Sequence, residues 1–201
     1  ITQFQRTLEW FNIPPSKIAL PYLQSALELY LDYGIPQQQL VDIWNNWSGT
    51  LGDSLLTLEP VELEGWYELG RLMGADNNLL LRIEQVLEQR NAASVDAFSA
   101  LPPQKVVIFT LRENTARRAV EKLKPRNPRY NYVLCTDDAL TAEAKTHVRS
   151  ADIVVIVTTC LSHAIFYGIQ PYLSDNVVYP RSSGTTGILA AVEDFVKKKC
   201  G

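Results

Sequence analysis

The spacing of apolar residues along the chain changes once, near residue 100, from a helical period to short apolar runs that alternate with helical stripes. Before that point four segments carry the helical spacing. Leu23, Ala26, Leu27 and Tyr30 follow Pro21 and stop at Gly34, with proline near the start and glycine past the end of one helix. A second helix is predicted over 36–47, a third over 60–74 through Trp66 and Leu69, and a fourth over 75–90 with Leu80, Ile83, Val86 and Leu87 on one face. Short helical hairpins are their natural packing, and no fixed-period repeat marks a solenoid. Trp44 and Trp47 lie three apart on one helix face and read as core residues, the other reading being an aromatic grip on a partner.

Leu101-Pro102-Pro103-Gln104 ends the helical pattern, because adjacent prolines cannot continue a helix. Strands are then predicted over 105–110, 131–136, 152–158 and 176–179. Between them Ala116, Ala119, Val120 and Leu123 stripe one helix, Leu140, Ala144 and Val148 a second, and Ile165 and Phe166 a shorter third; Ile188, Leu189, Val192, Phe195 and Val196 stripe the last. The unbroken run Ile153-Val154-Val155-Ile156-Val157 is that of a strand buried on both faces. The expected fold class is α/β: an all-helical domain over 1–100, then a small Rossmann-like or flavodoxin-like parallel sheet of about four strands over 101–201.

In an open parallel sheet, ligands bind outside the carboxyl ends of the strands, so the four turns there are read together. The fourth, Arg181-Ser182-Ser183-Gly184-Thr185-Thr186-Gly187, leads a strand into the last helix through hydroxyls and glycines. A helix amino end carries free N–H groups and the positive end of the macrodipole, so it takes up phosphate or carboxylate, and Arg181 adds a bidentate clamp. The plainer reading is that Ser183 or Thr185 caps the helix and the glycines serve the turn. The other turns add Arg112, Asn114, Thr158, Thr159, Ser162 and His163, which with Arg181, Ser182, Ser183, Thr185 and Thr186 gather cationic and hydroxyl donors on one rim. Asn114, Asp138 and Ser162 are each also plausible N-caps, and Asp137 or Asp138 stands where a carboxylate accepts from ribose hydroxyls. The first turn lacks glycine, so neither a dinucleotide fingerprint nor a P-loop is present, and no cofactor is expected.

Catalytic candidates are His163 and Cys160, His163 as general base and Cys160 as nucleophile, with no orienting third group visible in the sequence. Cys160 and His163 also resemble half of a metal site, but His147 is the only other histidine and no second pair is spaced to match; no metal is expected. Three cysteines, Cys135, Cys160 and Cys200, form no Cys-x-x-Cys pair and fit a reducing cytoplasm. No stretch reads as a signal peptide or a bilayer span. The start at Ile1 fits a piece of something longer.

The formal net charge of −3 hides two opposite halves. Residues 1–100 hold 5 Lys+Arg against 13 Asp+Glu, net −8, and residues 101–201 hold 14 against 9, net +5. A basic half with an anion-binding turn suits a phosphate-bearing small molecule or nucleotide, and an acidic helical half suits protein contact or self-association. Arg117, Arg118, Lys122, Lys124, Arg126 and Arg129 near one helix make nucleic acid a secondary reading, with steep salt dependence as its signature.

The stretch 149–164, Arg-Ser-Ala-Asp-Ile-Val-Val-Ile-Val-Thr-Thr-Cys-Leu-Ser-His-Ala, followed by Val177-Val178-Tyr179-Pro180-Arg181 and the Ser/Gly/Thr turn, resembles a prokaryotic Rossmann-like domain family of unknown function. The resemblance covers about 105–199. It implies a buried strand ending in a Ser-His turn and a last strand leading to a Gly/Ser/Thr-rich turn; Leu111-Arg112-Glu113 departs from the glycine expected at the first turn. Three functions follow as expectations. The first is an anion- or nucleotide-binding sensing module with a helical assembly domain, within a larger prokaryotic protein or complex. The second is an enzyme on a phosphate-bearing substrate with His163 or Cys160 reactive, and the third an interaction scaffold without a ligand.

Overall fold

A computed structural model of the chain describes residues 14–75, 78–93 and 100–200, the side chains of 91–93 excepted. The chain divides into two compact units, Ile1–Ser94 and Val95–Gly201.

The first unit contains α1 (Leu20–Asp32), α2 (Gln37–Leu51), a 3-10 helix (Gly52–Thr57), α3 (Pro60–Leu72) and α4 (Asn78–Ala93). Prolines open α1 and α3, where a missing N–H costs nothing. Gly74 ends α3 at φ 72, and Ala75 N then donates to Gly70 O at 2.8 Å, closing the orphan carbonyls of the last turn. α2 runs one turn past the expected end at Trp47, because Trp47 and Ser48 are buried and Gly52 supplies the stop. Both tryptophans of α2 are core residues. Trp44 stacks on Trp66 with ring centroids 5.3 Å apart and planes 15° from parallel. Trp44 Nε1 donates to Trp66 O at 3.1 Å and Trp66 Nε1 to Ser48 Oγ at 3.0 Å, so each indole is buried with its donor satisfied.

The second unit holds β1 (Lys105–Phe109), α5 (Glu113–Arg126), β2 (Asn131–Cys135), α6 (Ala142–Arg149), β3 (Ile153–Ile156), α7 (His163–Ile169), β4 (Val177–Val178) and α8 (Thr185–Cys200). All strand pairs are parallel and the order is β2-β1-β3-β4. This is the expected α/β class, a doubly wound sheet. Val107, Phe109, Val154 and Ile156 pack with Ile165 and Ile169 of α7 and Val148 of α6 on one face. Alternation turns Val106, Ile108 and Val155 to the other. There α5 and α8 pack together and are joined by the Arg126–Glu193 ion pair, in which Glu193 is buried. The chain leaves β1 toward one edge and β3 toward the other, so the strand order reverses between their carboxyl ends. Among the described residues no helix is long and apolar enough to cross a membrane.

Cys135, half-buried at the end of β2, is pushed up to about 11 by burial, with the nearby Asp137 and Glu143 carboxylates adding to it. Only about one thiol in a thousand is then ionised at pH 8, so Cys135 is expected to react with iodoacetamide roughly 100-fold more slowly than a free thiol. Peptide mapping of a time course checks this; a rate equal to that of a model thiol contradicts it.

Candidate functional site

The rim at the carboxyl ends of the strands is built from short-range backbone ties and one long-range arginine. Val157 N donates to Phe109 O at 3.0 Å and Leu111 N to Cys160 O at 2.7 Å, so the turns after β1 and β3 are joined across the reversal point. Thr110 is buried, and its Oγ1 accepts from Arg112 N at 3.1 Å, which turns the chain into α5. Arg112 then reaches the fourth turn: Nη1 donates to Ser183 O at 3.2 Å and to Ser183 Oγ at 3.1 Å. The first and fourth turns, 71 residues apart, are thereby held together.

The fourth turn packs onto the amino end of α8. Ser182, Gly184, Thr185 and Thr186 are all buried. Gly187 allows the approach, because a Cβ there would meet the Ser182 carbonyl oxygen and lie 2.6 Å from Ser182 Oγ. Ser182 Oγ is buried against this first turn with no hydrogen-bond partner among the described residues. No acidic residue occupies the first turn of α8, and Lys197, Lys198 and Lys199 lie in its last. The amino end therefore keeps its positive potential. Arg181, at the entrance to the turn, is exposed.

The remaining candidates are spread more widely. Ser162 is the N-cap of α7, accepting from Ile165 N at 3.3 Å. Asn114 is exposed inside α5 rather than capping it; the cap position is Arg112, whose backbone begins the helix while its side chain crosses to Ser183. Asp138 does not cap α6 either. The loop after β2 runs on to Thr141, whose Oγ1 accepts from Ala144 N at 3.1 Å, while Leu140 packs against Gly168. Thr158 and Thr159 are exposed in a 3-10 turn, Thr158–Cys160. Cys160 Sγ lies 3.9 Å from Thr159 Oγ1, and exposed His163 sets its ring edge-on to Tyr167, centroids 6.2 Å apart. His147 lies away from the rim, by the first residue of β1, with Nδ1 3.1 Å from Lys105 Nζ and Nε2 3.3 Å from Glu143 Oε1. Among the described residues no group of three His, Cys, Asp or Glu side chains could hold a metal ion.

Sequence reading overlooked Thr110 and Thr115. Thr115 is fully buried in the first turn of α5, and its Oγ1 has no hydrogen-bond partner among the described residues. Their signal was a hydroxyl just before, and another just inside, a helix that follows a buried strand.

Fold and rim together define a two-part chain whose α/β unit carries a polar strand-end rim. Residues 15–191 match the model of the DpdD-like family, and the chain belongs to that family. The match takes in helical residues as well as the sheet, a wider span than the resemblance over 105–199. No curated protein and no solved structure matches the chain.

Proposed function

We propose that the α/β unit is an anion-binding module, taking a phosphate-bearing small molecule or nucleotide at the amino end of α8, and that the helical unit serves assembly with protein partners or copies of itself. Arg181 carries this reading. Among the described residues the other arginines are engaged: Arg71 and Arg149 over tyrosine rings, Arg82, Arg117 and Arg126 with carboxylates, Arg90, Arg112 and Arg129 on carbonyls, and Arg118 in a further contact. Arg181 alone among them has no side-chain partner among the described residues, and it lies beside a helix end whose positive potential no acid offsets. A guanidinium held without a partner in such a place is poised for an anion.

At a ligand concentration of 100 times Kd, binding adds about 2.7 kcal/mol of stability, worth roughly 5–10 °C in melting temperature for a chain of this size. Inorganic phosphate, nucleoside mono-, di- and triphosphates and tripolyphosphate are the ligands to scan. At least one is expected to raise the melting temperature, and Arg181→Ala to remove the rise without changing the unliganded value. A flat response to the whole series would sink the proposal.

A further inference from the structure

The positive charge of the α/β unit lies on one side of its sheet. Residues 112–129 and 185–200, which make up α5, α8 and the turn after α5, hold ten Lys+Arg against four Asp+Glu, net +6. The rest of 101–201 holds four against five, net −1. One face of the sheet is therefore covered by a cationic layer, and the other by a nearly neutral one.

Arg118, Lys122 and Arg126 recur every four residues and line one side of α5. Arg126 shows which side, because it pairs with Glu193 of α8, and Lys197 Nζ lies 3.8 Å from the same carboxylate. Two cations on one buried acid leave that junction positive. Lys122, Lys124 and Lys198 have no hydrogen-bond or ion-pair partner among the described residues. Cations in the last turn of a helix offset its dipole, which gives Lys124 and the three lysines of α8 a local use. Arg118 and Lys122 lie earlier in α5, outside the reach of that effect.

The chemistry of this layer selects its partner. None of the large apolar side chains left exposed among the described residues lies on α5 or α8; those of this unit are Leu111, Tyr167 and Tyr179. A protein interface is centred on apolar and aromatic anchors and is depleted of lysine, and a single strand needs rings on which its bases stack. The layer supplies neither. It supplies a row of about 12 Å from Arg118 to Arg126, roughly the rise of three to four nucleotides in one strand of a duplex. Such side chains bond phosphates without reading sequence.

We infer that the α5 and α8 layer docks a nucleic acid duplex through its phosphates, without base specificity, on a surface other than the strand-end rim.

Fluorescence anisotropy of a labelled DNA duplex of about 20 base pairs, titrated with the full chain at roughly 50 to 200 mM salt, tests this. The logarithm of the binding constant is expected to fall linearly with that of the salt concentration, at a slope of about −4. Lys122→Gln and Lys198→Gln together should make the slope shallower by about 2 and weaken binding about 10-fold or more at the lowest salt. Lys145→Glu makes the same change in net charge on α6, across the sheet, and should leave both unchanged. A single strand of the same length should bind more weakly than the duplex. Absence of binding at the lowest salt, a slope that the paired variant does not alter, or an equal loss on Lys145→Glu overturns the inference. Tighter binding of the single strand overturns it as well, and so does polyglutamate that displaces the labelled duplex as effectively as unlabelled duplex does, which would assign the layer to an acidic protein.

Discussion

Gly187→Ala is expected to destabilise the α/β unit by about 2–3 kcal/mol, although the same change inside most helices gains about 1 kcal/mol. The reason is the atom it meets. A Cβ at residue 187 would crowd the Ser182 carbonyl oxygen, lie 2.6 Å from Ser182 Oγ and 3.0 Å from the carbonyl carbon. A side chain rotates away from such a clash, whereas the Ser182 backbone moves only if the whole turn over 181–184 lifts. Lifting it carries Ser183 away from Arg112 Nη1, now 3.2 Å from its carbonyl and 3.1 Å from its hydroxyl. Stability and the response to anions should therefore fall together. Denaturation followed by circular dichroism gives the first and thermal shift with phosphate the second. Ser182→Gly should fail to rescue the variant, since the clashing carbonyl remains. A stabilised Gly187→Ala protein would show that the turn does not press on the helix.

The second large effect lies in the helical unit, where Trp44→Ala is expected to cost about 3–5 kcal/mol. Trp44 is fully buried, stacks on Trp66 and donates to the Trp66 carbonyl, so its removal leaves a cavity and loses that hydrogen bond. Trp44→Phe keeps part of the stack and loses the donor, and should cost less. Gly70 makes the test sharper. A Cβ there would lie 2.7 Å from Trp44 Cζ2 and 2.9 Å from Cε2, so Gly70→Ala is expected to be harmful with the indole present and to be tolerated in the Trp44→Ala background. The double-mutant cycle should give a coupling well above the additive limit of about 0.5 kcal/mol. Hydrogen exchange over Leu20–Leu72 reads the result, and additive costs would mean that the ring and the glycine do not share that space.

The helical segments and the strands were legible because the apolar periods are local: Leu80, Ile83 and Leu87 mark α4 as plainly as Ile153 to Ile156 mark β3. Element ends were less so. β4 keeps only Val177 and Val178 of the four residues expected, and α6 begins after Thr141 rather than near Asp138. Several short polar side chains in one loop all have the chemistry of a cap, and the geometry of the loop chooses among them. In the candidate site, residue types were readable and partners were not. Arg112 reads as a free cation beside a strand end, yet it is the strut to Ser183; Arg181 reads as its equal and is exposed, without a side-chain partner among the described residues.

By itself the sequence determined the change of period near residue 100, the order of helices and strands, and the polar character of the four strand-end turns, since each depends on residues within one turn or one strand of each other. Only the tertiary structure decided the strand order β2-β1-β3-β4, the bridge from Arg112 to Ser183, and the burial of Ser182 against Gly187. The bridge joins residues far apart in the chain, and the close approach at Ser182 depends on how the turn settles onto α8 as that helix docks on α5 and the sheet. Side-chain type sets what a residue can bond to, and packing sets what comes within reach of it.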